Sequence, residues 1–108
     1  MVKKSIDHIA LQVDDIQESV KWYQEKYGCD ILYEDKTWAF LQFENIKLAL
    51  VVEDEHPYHI AFEIDTIKNP HPIAGLVKHR DGSWSKYLED PSGNTIEAIL
   101  YPKKSENN

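Results

Sequence analysis

Hydrophobic and polar residues alternate along two short stretches of this chain that have closely similar sequences. The stretch that begins at His8 reads HIALQVDDI, and the stretch that begins at His59 reads HIAFEIDTI. A period of two predicts a β-strand in each stretch. In the first strand Ile9 and Leu11 share one face, whereas His8 and Gln12 share the other. Each copy is therefore expected to present one apolar face and one polar face.

Two matched strands in one short chain indicate an internal duplication, in which equivalent residues approach a pseudo-twofold axis from opposite sides. In the second copy, Ile60, Phe62 and Ile64 are expected to face a helix-packed core. His59 and Glu63 fall on the opposite face, which is predicted to be polar and concave. This arrangement can build a central site from both copies.

A helix is predicted over about 15–27, directly after the first strand. Asp14 or Asp15 is a suitable N-cap residue, and Glu18 completes a capping box with Asp15. Gly28 supplies the C-terminal stop. The apolar positions of the helix recur at helical spacing, at Ile16, Val20, Tyr23 and Tyr27. Three further strands are predicted at 30–33, 37–43 and 46–52, which completes a βαβββ unit.

The second copy is less regular because Pro70 and Pro72 fall where the first copy has the interior of its helix. A reduced helix, or none, is expected there. Strands are predicted to resume at 75–79, 83–89 and 94–101, with a turn at 90–93 before the last of them. The missing helix leaves apolar surface that needs a cover, and this predicts a homodimer.

The predicted fold class is therefore α+β, with two tandem βαβββ units of which the second has a reduced helix. At 108 residues the chain is too short for two independent cores, so one domain is predicted over 1–102. Its two units span about 5–52 and 57–101, and the polar residues 103–108 are expected to form a flexible tail.

Composition narrows the possible partners. The formal net charge of -7 disfavours nucleic acid and anionic membrane surfaces, because both require clustered Lys and Arg. No apolar run is long enough to span a bilayer, and the N-terminus lacks the apolar region of a signal peptide. We therefore expect a cytoplasmic protein whose partner is a small-molecule substrate.

His8 and His59 are the first candidates for chemistry. A lone histidine on a strand is more often structural than a ligand, but these two occupy the same position in both copies. Glu97 lies on the last predicted strand among apolar residues, where a charge requires a partner. Two imidazoles and a carboxylate bind divalent Fe, Mn, Zn, Ni or Co and leave coordination positions open. The sequence therefore predicts a divalent metal site of His8, His59 and Glu97.

Three motifs around these residues resemble a known family. They are DHIALQVDD from Asp7, HIAF from His59, and YLEDPSGNTIE, which ends at Glu97. They are similar to the vicinal oxygen chelate superfamily, which includes glyoxalase I, extradiol dioxygenases, fosfomycin-modifying enzymes and bleomycin-sequestering proteins. The resemblance implies paired βαβββ units around a cup-shaped metal site with the three ligands named above. It also implies that the site can combine residues of two chains.

The chain departs from each subgroup of that family. Four-ligand members such as glyoxalase I carry a carboxylate where this chain has Leu48 or Ala49. Fosfomycin enzymes hold a phosphonate with cations and hydroxyl groups, for which the chain offers Ser85 and Tyr87 but few cations. Those nearest in sequence are Lys78, Arg80 and Lys86. Extradiol dioxygenases use further acid-base groups, for which the nearby candidates are His56, His79 and Tyr58.

Catalytic candidates complete the set. Gln12 and Glu63 occupy equivalent places four residues beyond their histidines, and Tyr87 lies near the predicted metal site. Each is predicted to orient a ligand or to act in acid-base catalysis. The leading hypothesis is a metal-dependent dioxygenase, lyase or isomerase, or thiol transferase acting on a small oxygen-rich substrate. The alternative is a non-catalytic protein that sequesters an antibiotic or another small molecule in the same cup.

Overall fold

The computed structural model of the chain describes residues 3–64, 75–79 and 82–101. Within these ranges, one mixed sheet curls into a half-barrel and carries one helix. The elements are β1 Ser5–Gln12, α1 Ile16–Tyr27, β2 Asp30–Glu34, β3 Trp38–Gln42, β4 Lys47–Val51, β5 His59–Glu63, β6 Val77–Lys78, β7 Trp84–Glu89 and β8 Thr95–Leu100. The predicted glyoxalase-like α+β fold is confirmed.

Strand order follows the duplication that the sequence predicts. The sheet runs β2-β3-β4-β1-β5-β8-β7-β6, with β1 parallel to β4 and β5 parallel to β8. The two units meet where β1 pairs antiparallel with β5. In that pairing His8 lies opposite Ala61, and His59 lies opposite Ala10. This reciprocity places the pseudo-twofold axis at the Ile9–Ile60 pair, between the two histidines.

The helix begins and ends close to where the sequence predicts. The Asp15 side chain accepts a hydrogen bond from the Glu18 amide at 3.0 Å, and Gly28 adopts a φ of +76° that favours glycine. Ile16 and Val20 are buried against β3 and β4. Tyr27 shares the helical spacing of these residues but is 67% exposed in the last helical turn. Its ring contacts the ring of Trp22.

The main core lies between α1 and the strands β3 and β4 of the first unit. Its buried members are Ile16, Val20, Ala39, Leu41 and Leu50. The expectation that Ile60 faces a helix-packed core was wrong, because α1 packs on β2 to β4 and leaves Ile60 38% exposed. Phe62 and Ile64 are partly buried. The position of the reduced helix, at 65–74, lies outside the described residues, as does the tail.

Two aspartates organise turns beside strands of the site. The Asp35 carboxylate accepts hydrogen bonds from the amides of Thr37 and Trp38 at 2.8 and 2.9 Å. Asp90 accepts from the Asn94 amide at 2.9 Å in the turn that leads into β8. These contacts fix where β3 and β8 begin. Within the described ranges, no helix is long and apolar enough to cross a membrane.

Candidate metal centre

Three buried side chains converge on one point of the concave face. The Nε2 atoms of His8 and His59 are 3.3 Å apart. Oε1 of Glu97 lies 3.1 Å from each of them. The three residues are only 6%, 7% and 6% exposed, respectively. The structure therefore brings together, within one chain, all three ligands that the sequence predicts.

Strand register explains how distant residues meet. His8 on β1 lies opposite Ala61 on β5, and Ala61 lies beside Glu97 on β8. These three residues form a row across the sheet and share a face. Ala61 is completely buried and its methyl group leaves room above it. The side chains of His8 and Glu97 therefore meet over Ala61.

Each histidine is oriented by a hydrogen bond at its other ring nitrogen. Nδ1 of His8 lies 2.8 Å from Oδ2 of Asp7, and Nδ1 of His59 lies 2.9 Å from the Pro57 carbonyl oxygen. Carboxylates and carbonyls only accept hydrogen bonds, so both Nδ1 atoms carry the proton when the rings are neutral. Both Nε2 lone pairs then face the Glu97 carboxylate. Such an inward-facing donor set is typical of histidine metal ligands.

Electrostatics at the point of convergence favour a positive charge. Burial raises the pKa of Glu97, but hydrogen bonds with His59, His8 and Ser85 outweigh it and hold that pKa well below its usual range. Burial lowers the pKa of His8, but its contacts with Asp7 and Glu97 outweigh burial and raise that pKa. Both pKa shifts arise because carboxylates and imidazoles lie close together at this point, where positive charge is stabilised.

The donor atoms also have the separations that a metal ion requires. Metal–ligand bonds of about 2.1 Å put neighbouring donors about 3.0 Å apart in octahedral and about 3.4 Å apart in tetrahedral geometry. The observed separations of 3.1, 3.1 and 3.3 Å fall in this interval. Two lone pairs and a buried carboxylate would otherwise face one another at a cost in free energy. The residues present therefore fit a divalent cation.

The register identifies where a fourth ligand would lie. Glu97 pairs with Ala61 in the second unit, and the equivalent pair in the first unit is Ala49 with Ala10. Of the two positions that the sequence left open, Ala49 is thus the counterpart of Glu97. It lines the cavity beside the three candidate metal ligands. A methyl group stands where four-ligand relatives would have a carboxylate.

A cavity of about 280 Å³ opens above the three ligands. Its two walls differ in character. The wall from the first unit is apolar and consists of Trp38, Phe40, Ala49 and Val51. The wall from the second unit and the loop before it is mostly polar, with His56, Lys78, His79, Ser83, Tyr87, Ile99 and Tyr101. A ligand in this cavity would meet an apolar surface on one side and hydrogen-bonding groups on the other.

Comparison with known proteins agrees with this architecture. The model of the Glyoxalase/Bleomycin resistance protein/Dioxygenase superfamily matches residues 5–71. The chain belongs to this superfamily. It is 28% identical to the metallothiol transferase FosB of Lysinibacillus sphaericus over 116 residues, which cover 90% of this chain and 82% of that protein. It is 30% identical to FosB of Staphylococcus epidermidis over 112 residues, which cover 86% and 79%.

Solved structures share the fold of this chain. A hypothetical protein from Bacillus halodurans superposes with a TM-score of 0.72 at 19% identity, over 98% of this chain and 100% of that one. Methylmalonyl-CoA epimerase from Mycobacterium tuberculosis gives a TM-score of 0.67 at 14% identity, over 91% and 88%. At these identities the likeness concerns the fold alone.

Of the three predicted catalytic residues of this superfamily member, Tyr87 lies at the cavity, whereas Gln12 and Glu63 are not among the described residues that line it. Tyr87 lines the cavity, and its hydroxyl lies 3.2 Å from Nδ1 of His56. Burial and the charge of Glu97 raise the pKa of Tyr87, whereas burial and repulsion from His59 lower the pKa of His56. A protonated hydroxyl therefore lies beside a neutral imidazole.

Gln12 and Glu63 are not among the described residues that line the cavity. The Gln12 amide donates to the His56 carbonyl at 3.0 Å and so anchors the loop that carries this histidine. His79 and Lys78 do line the cavity. Nε2 of His79 lies 2.5 Å from Oγ of Ser85. Arg80 lies outside the described residues.

The contacts that Asp7, Lys47 and Tyr101 make on the Nδ1 side of His8 were not predicted from the sequence. Asp7 is 7% exposed and contacts His8, Lys47 and Tyr101. Asp7 stands directly before a predicted ligand and is a charged residue in a buried strand, so its sequence position was a usable signal. Tyr101 and Lys47 gave no such signal, because only the folded sheet brings them to Asp7.

Proposed function

We propose that the chain is a metal-dependent enzyme in which His8, His59 and Glu97 hold a divalent cation, with Fe, Mn, Zn, Ni and Co as candidates. The observation that carries this proposal is the convergence of three buried donor atoms within 3.3 Å of one another. The Nδ1 contacts support it further, since they leave both Nε2 lone pairs available. When bound, the cation supplies Lewis acidity that polarises an oxygen of the substrate.

The substrate is a small molecule with neighbouring oxygens that binds in the cavity above the ligands. Three protein ligands leave coordination positions open, and Ala49 leaves space beside them. Trp38 and Phe40 would pack against the apolar part of the substrate. Tyr87 and His56 would hydrogen-bond its polar part, so that the two walls fix its orientation.

Among the reactions of the superfamily we favour thiol transfer to an oxygen-bearing electrophile. The two FosB relatives, which match along most of their length, are named metallothiol transferases and support this choice. Within the chain, the Tyr87 hydroxyl is a proton donor for an oxygen that gains negative charge when its bond to carbon breaks. The thiol sulfur bonds to the carbon as the carbon–oxygen bond breaks, and the neutral His56 imidazole takes the thiol proton. Gln12 positions the loop that carries His56.

A non-catalytic binding protein is the second candidate. The Tyr33 ring stacks on Trp38 with centroids 4.5 Å apart, and Trp38 contacts Phe40 at 5.7 Å. This aromatic surface runs into the cavity and could hold a planar ligand without a metal. Binding that persists in chelator-treated protein would favour this candidate over the enzyme.

Metal content is the decisive measurement. Untagged protein purified without chelators is expected to contain about one divalent ion per chain by elemental analysis. Glu97→Ala should lose most of this metal, because it removes the only charged ligand of the three. Glu89→Ala is the matched control, since Glu89 is an exposed glutamate on the neighbouring strand. Full metal occupancy in Glu97→Ala would contradict the proposal.

Activity would then distinguish the reaction classes. Loss of thiol in the presence of small epoxides or other oxygen-bearing electrophiles supports transfer if it depends on the metal. Oxygen consumption with iron-loaded protein would indicate a dioxygenase instead. A homodimer and a cytoplasmic location remain predictions, and light scattering on the purified chain tests the first of them.

A further inference from the structure

A polar cluster surrounds the buried carboxylate of Asp7, which contacts the Nδ1 side of the His8 ring. Oδ2 of Asp7 lies 2.8 Å from Nδ1 of His8 and accepts a hydrogen bond from the Tyr101 hydroxyl at 2.7 Å. Oδ1 of Asp7 lies 3.0 Å from the Lys47 ammonium. The two oxygens of Asp7 therefore have different partners. One faces the imidazole and a hydroxyl, and the other faces a cation.

The Lys47 ammonium is held in place by several groups. It lies 3.3 Å from the Tyr101 hydroxyl and 4.9 Å from the centre of the Tyr101 ring. It also lies 5.1 Å from the centre of the Phe40 ring. An ammonium group only donates hydrogen bonds, so the atom of residue 7 that faces Lys47 must be an acceptor.

We propose that Asp7 and Lys47 act together as positioning residues that hold His8 in the one neutral tautomer able to bind a metal ion. Asp7 requires the proton on Nδ1, and Nε2 is then unprotonated and faces the cavity. Lys47 fixes which end of residue 7 faces the imidazole. The inference rests on the proposed metal function, and it assigns a role to two residues that do not contact the metal.

Asp7→Asn tests the role of Asp7 with almost no change in shape. The introduced amide has one oxygen and one NH2 group, and the NH2 group cannot face the Lys47 ammonium because both are donors. The amide oxygen therefore turns to Lys47, and the NH2 group faces Nδ1 of His8. Nδ1 must then accept, which moves the ring proton to Nε2 and blocks the metal. We expect metal affinity to fall by about 10- to 100-fold.

Lys47→Met in the same protein tests the role of Lys47. Without the ammonium, the amide oxygen that Asp7→Asn introduces is free to face His8, and the proton returns to Nδ1. The double variant is therefore expected to bind metal at least about fivefold more tightly than Asp7→Asn alone. Lys47→Met by itself should stay within about threefold of the wild type, since Asp7 still accepts from His8. If Asp7 merely supported the fold, the two losses would add.

Affinity is measured with Co²⁺ by its visible absorption in competition with a chelator, after circular dichroism has shown that each variant is folded. Asp30→Asn is the matched control, because it makes the same exchange at an exposed position on β2. Wild-type affinity in Asp7→Asn would overturn the proposal. So would a double variant that binds no better than Asp7→Asn.

Long-range ¹H–¹⁵N NMR of the histidines gives a readout that needs no metal and no variant. In chelated wild-type protein, at a pH where His8 is neutral, His8 should carry its proton on Nδ1. A proton on Nε2 in the wild type would overturn the proposal even if Asp7→Asn failed to fold. Failure of wild-type protein to bind Co²⁺ would instead contradict the proposed metal function, and the NMR result would remain informative about the tautomer.

Discussion

Ala61→Val is predicted to disturb the proposed metal site although it changes none of the three ligand residues. Neighbouring strands are about 4.8 Å apart, so the backbones of His8 and Glu97 are about 10 Å apart with Ala61 between them. Their donor atoms nevertheless approach to 3.1 Å, which means that both side chains lie over the Ala61 methyl group. Ala61 has no exposed surface. Two added methyl groups would therefore enter space that the ligands occupy.

The expected effect has two parts. Overpacking of a buried site costs about 1–3 kcal/mol of folding free energy with or without metal. Displacement of the ligands also weakens metal binding, by about tenfold or more if the disturbance resembles the loss of a supporting contact. A metal at about 100 times its Kd stabilises a folded protein by about 2.7 kcal/mol, and tenfold weaker binding leaves about 1.4 kcal/mol of that. The metal-dependent gain in Tm should therefore fall by about half.

Thermal unfolding with and without Co²⁺ separates these parts. Ala98→Val is the matched control, because Ala98 follows Glu97 on β8 and faces the other side of the sheet. Both variants are expected to lose stability in chelator, but only Ala61→Val should lose part of the metal-dependent gain. A folded Ala61→Val protein with the wild-type gain in Tm would refute the row of His8, Ala61 and Glu97 as the geometry of the site.

Two further predictions concern the open side of the site and one of the turns. Ala49→Glu supplies a fourth ligand, a second carboxylate, at the counterpart of Glu97. The variant should therefore retain Co²⁺ better against a chelator, and turnover should be lost. Unchanged retention would mean that position 49 does not reach the ion. Hydrogen bonds from Tyr33 first, and then from Thr37 and Trp38, hold the pKa of Asp35 well below its ordinary value of 3.8. A lowered folded-state pKa contributes stability above the unfolded value that is lost as the pH falls. The difference in unfolding free energy between wild type and Asp35→Ala should thus be constant well above pH 3.8 and shrink below it. A difference that stays the same in acid, measured by urea unfolding, would contradict this account.

Local patterns in the sequence predicted most of the fold. The repeated strand, the Asp15 cap and the Gly28 stop are short-range signals, and each element that they predict is present. Patterns of this kind do not determine which partner covers a face. Ile60 was assigned to a helix-packed core on periodicity alone, and it is partly exposed because α1, the one helix within the described residues, packs on the first unit.

The meeting of His8 and His59 was predictable because duplication gives them the same position in equivalent strands. The identity of the fourth position was not, since the choice between Leu48 and Ala49 depends on the register between β1 and β4. The cluster behind His8 was still less accessible, because the hydroxyl of Tyr101 reaches Asp7 across 94 residues of sequence. Contacts of that range follow from the order of the strands in the sheet and not from any local pattern.

The two units of the duplicated fold contribute different groups to the candidate site. Equivalent strands supply the two histidines, but the third ligand comes from the second unit alone, with Ala49 at the matching place in the first. The groups behind the histidines also differ, since His8 contacts a carboxylate and His59 contacts a backbone carbonyl. A fully symmetric site would surround a metal ion with two imidazoles and two carboxylates. Because Ala49 offers no carboxylate on the apolar wall, a cation held by the three proposed ligands would keep open coordination positions toward the cavity, where we expect a substrate to bind.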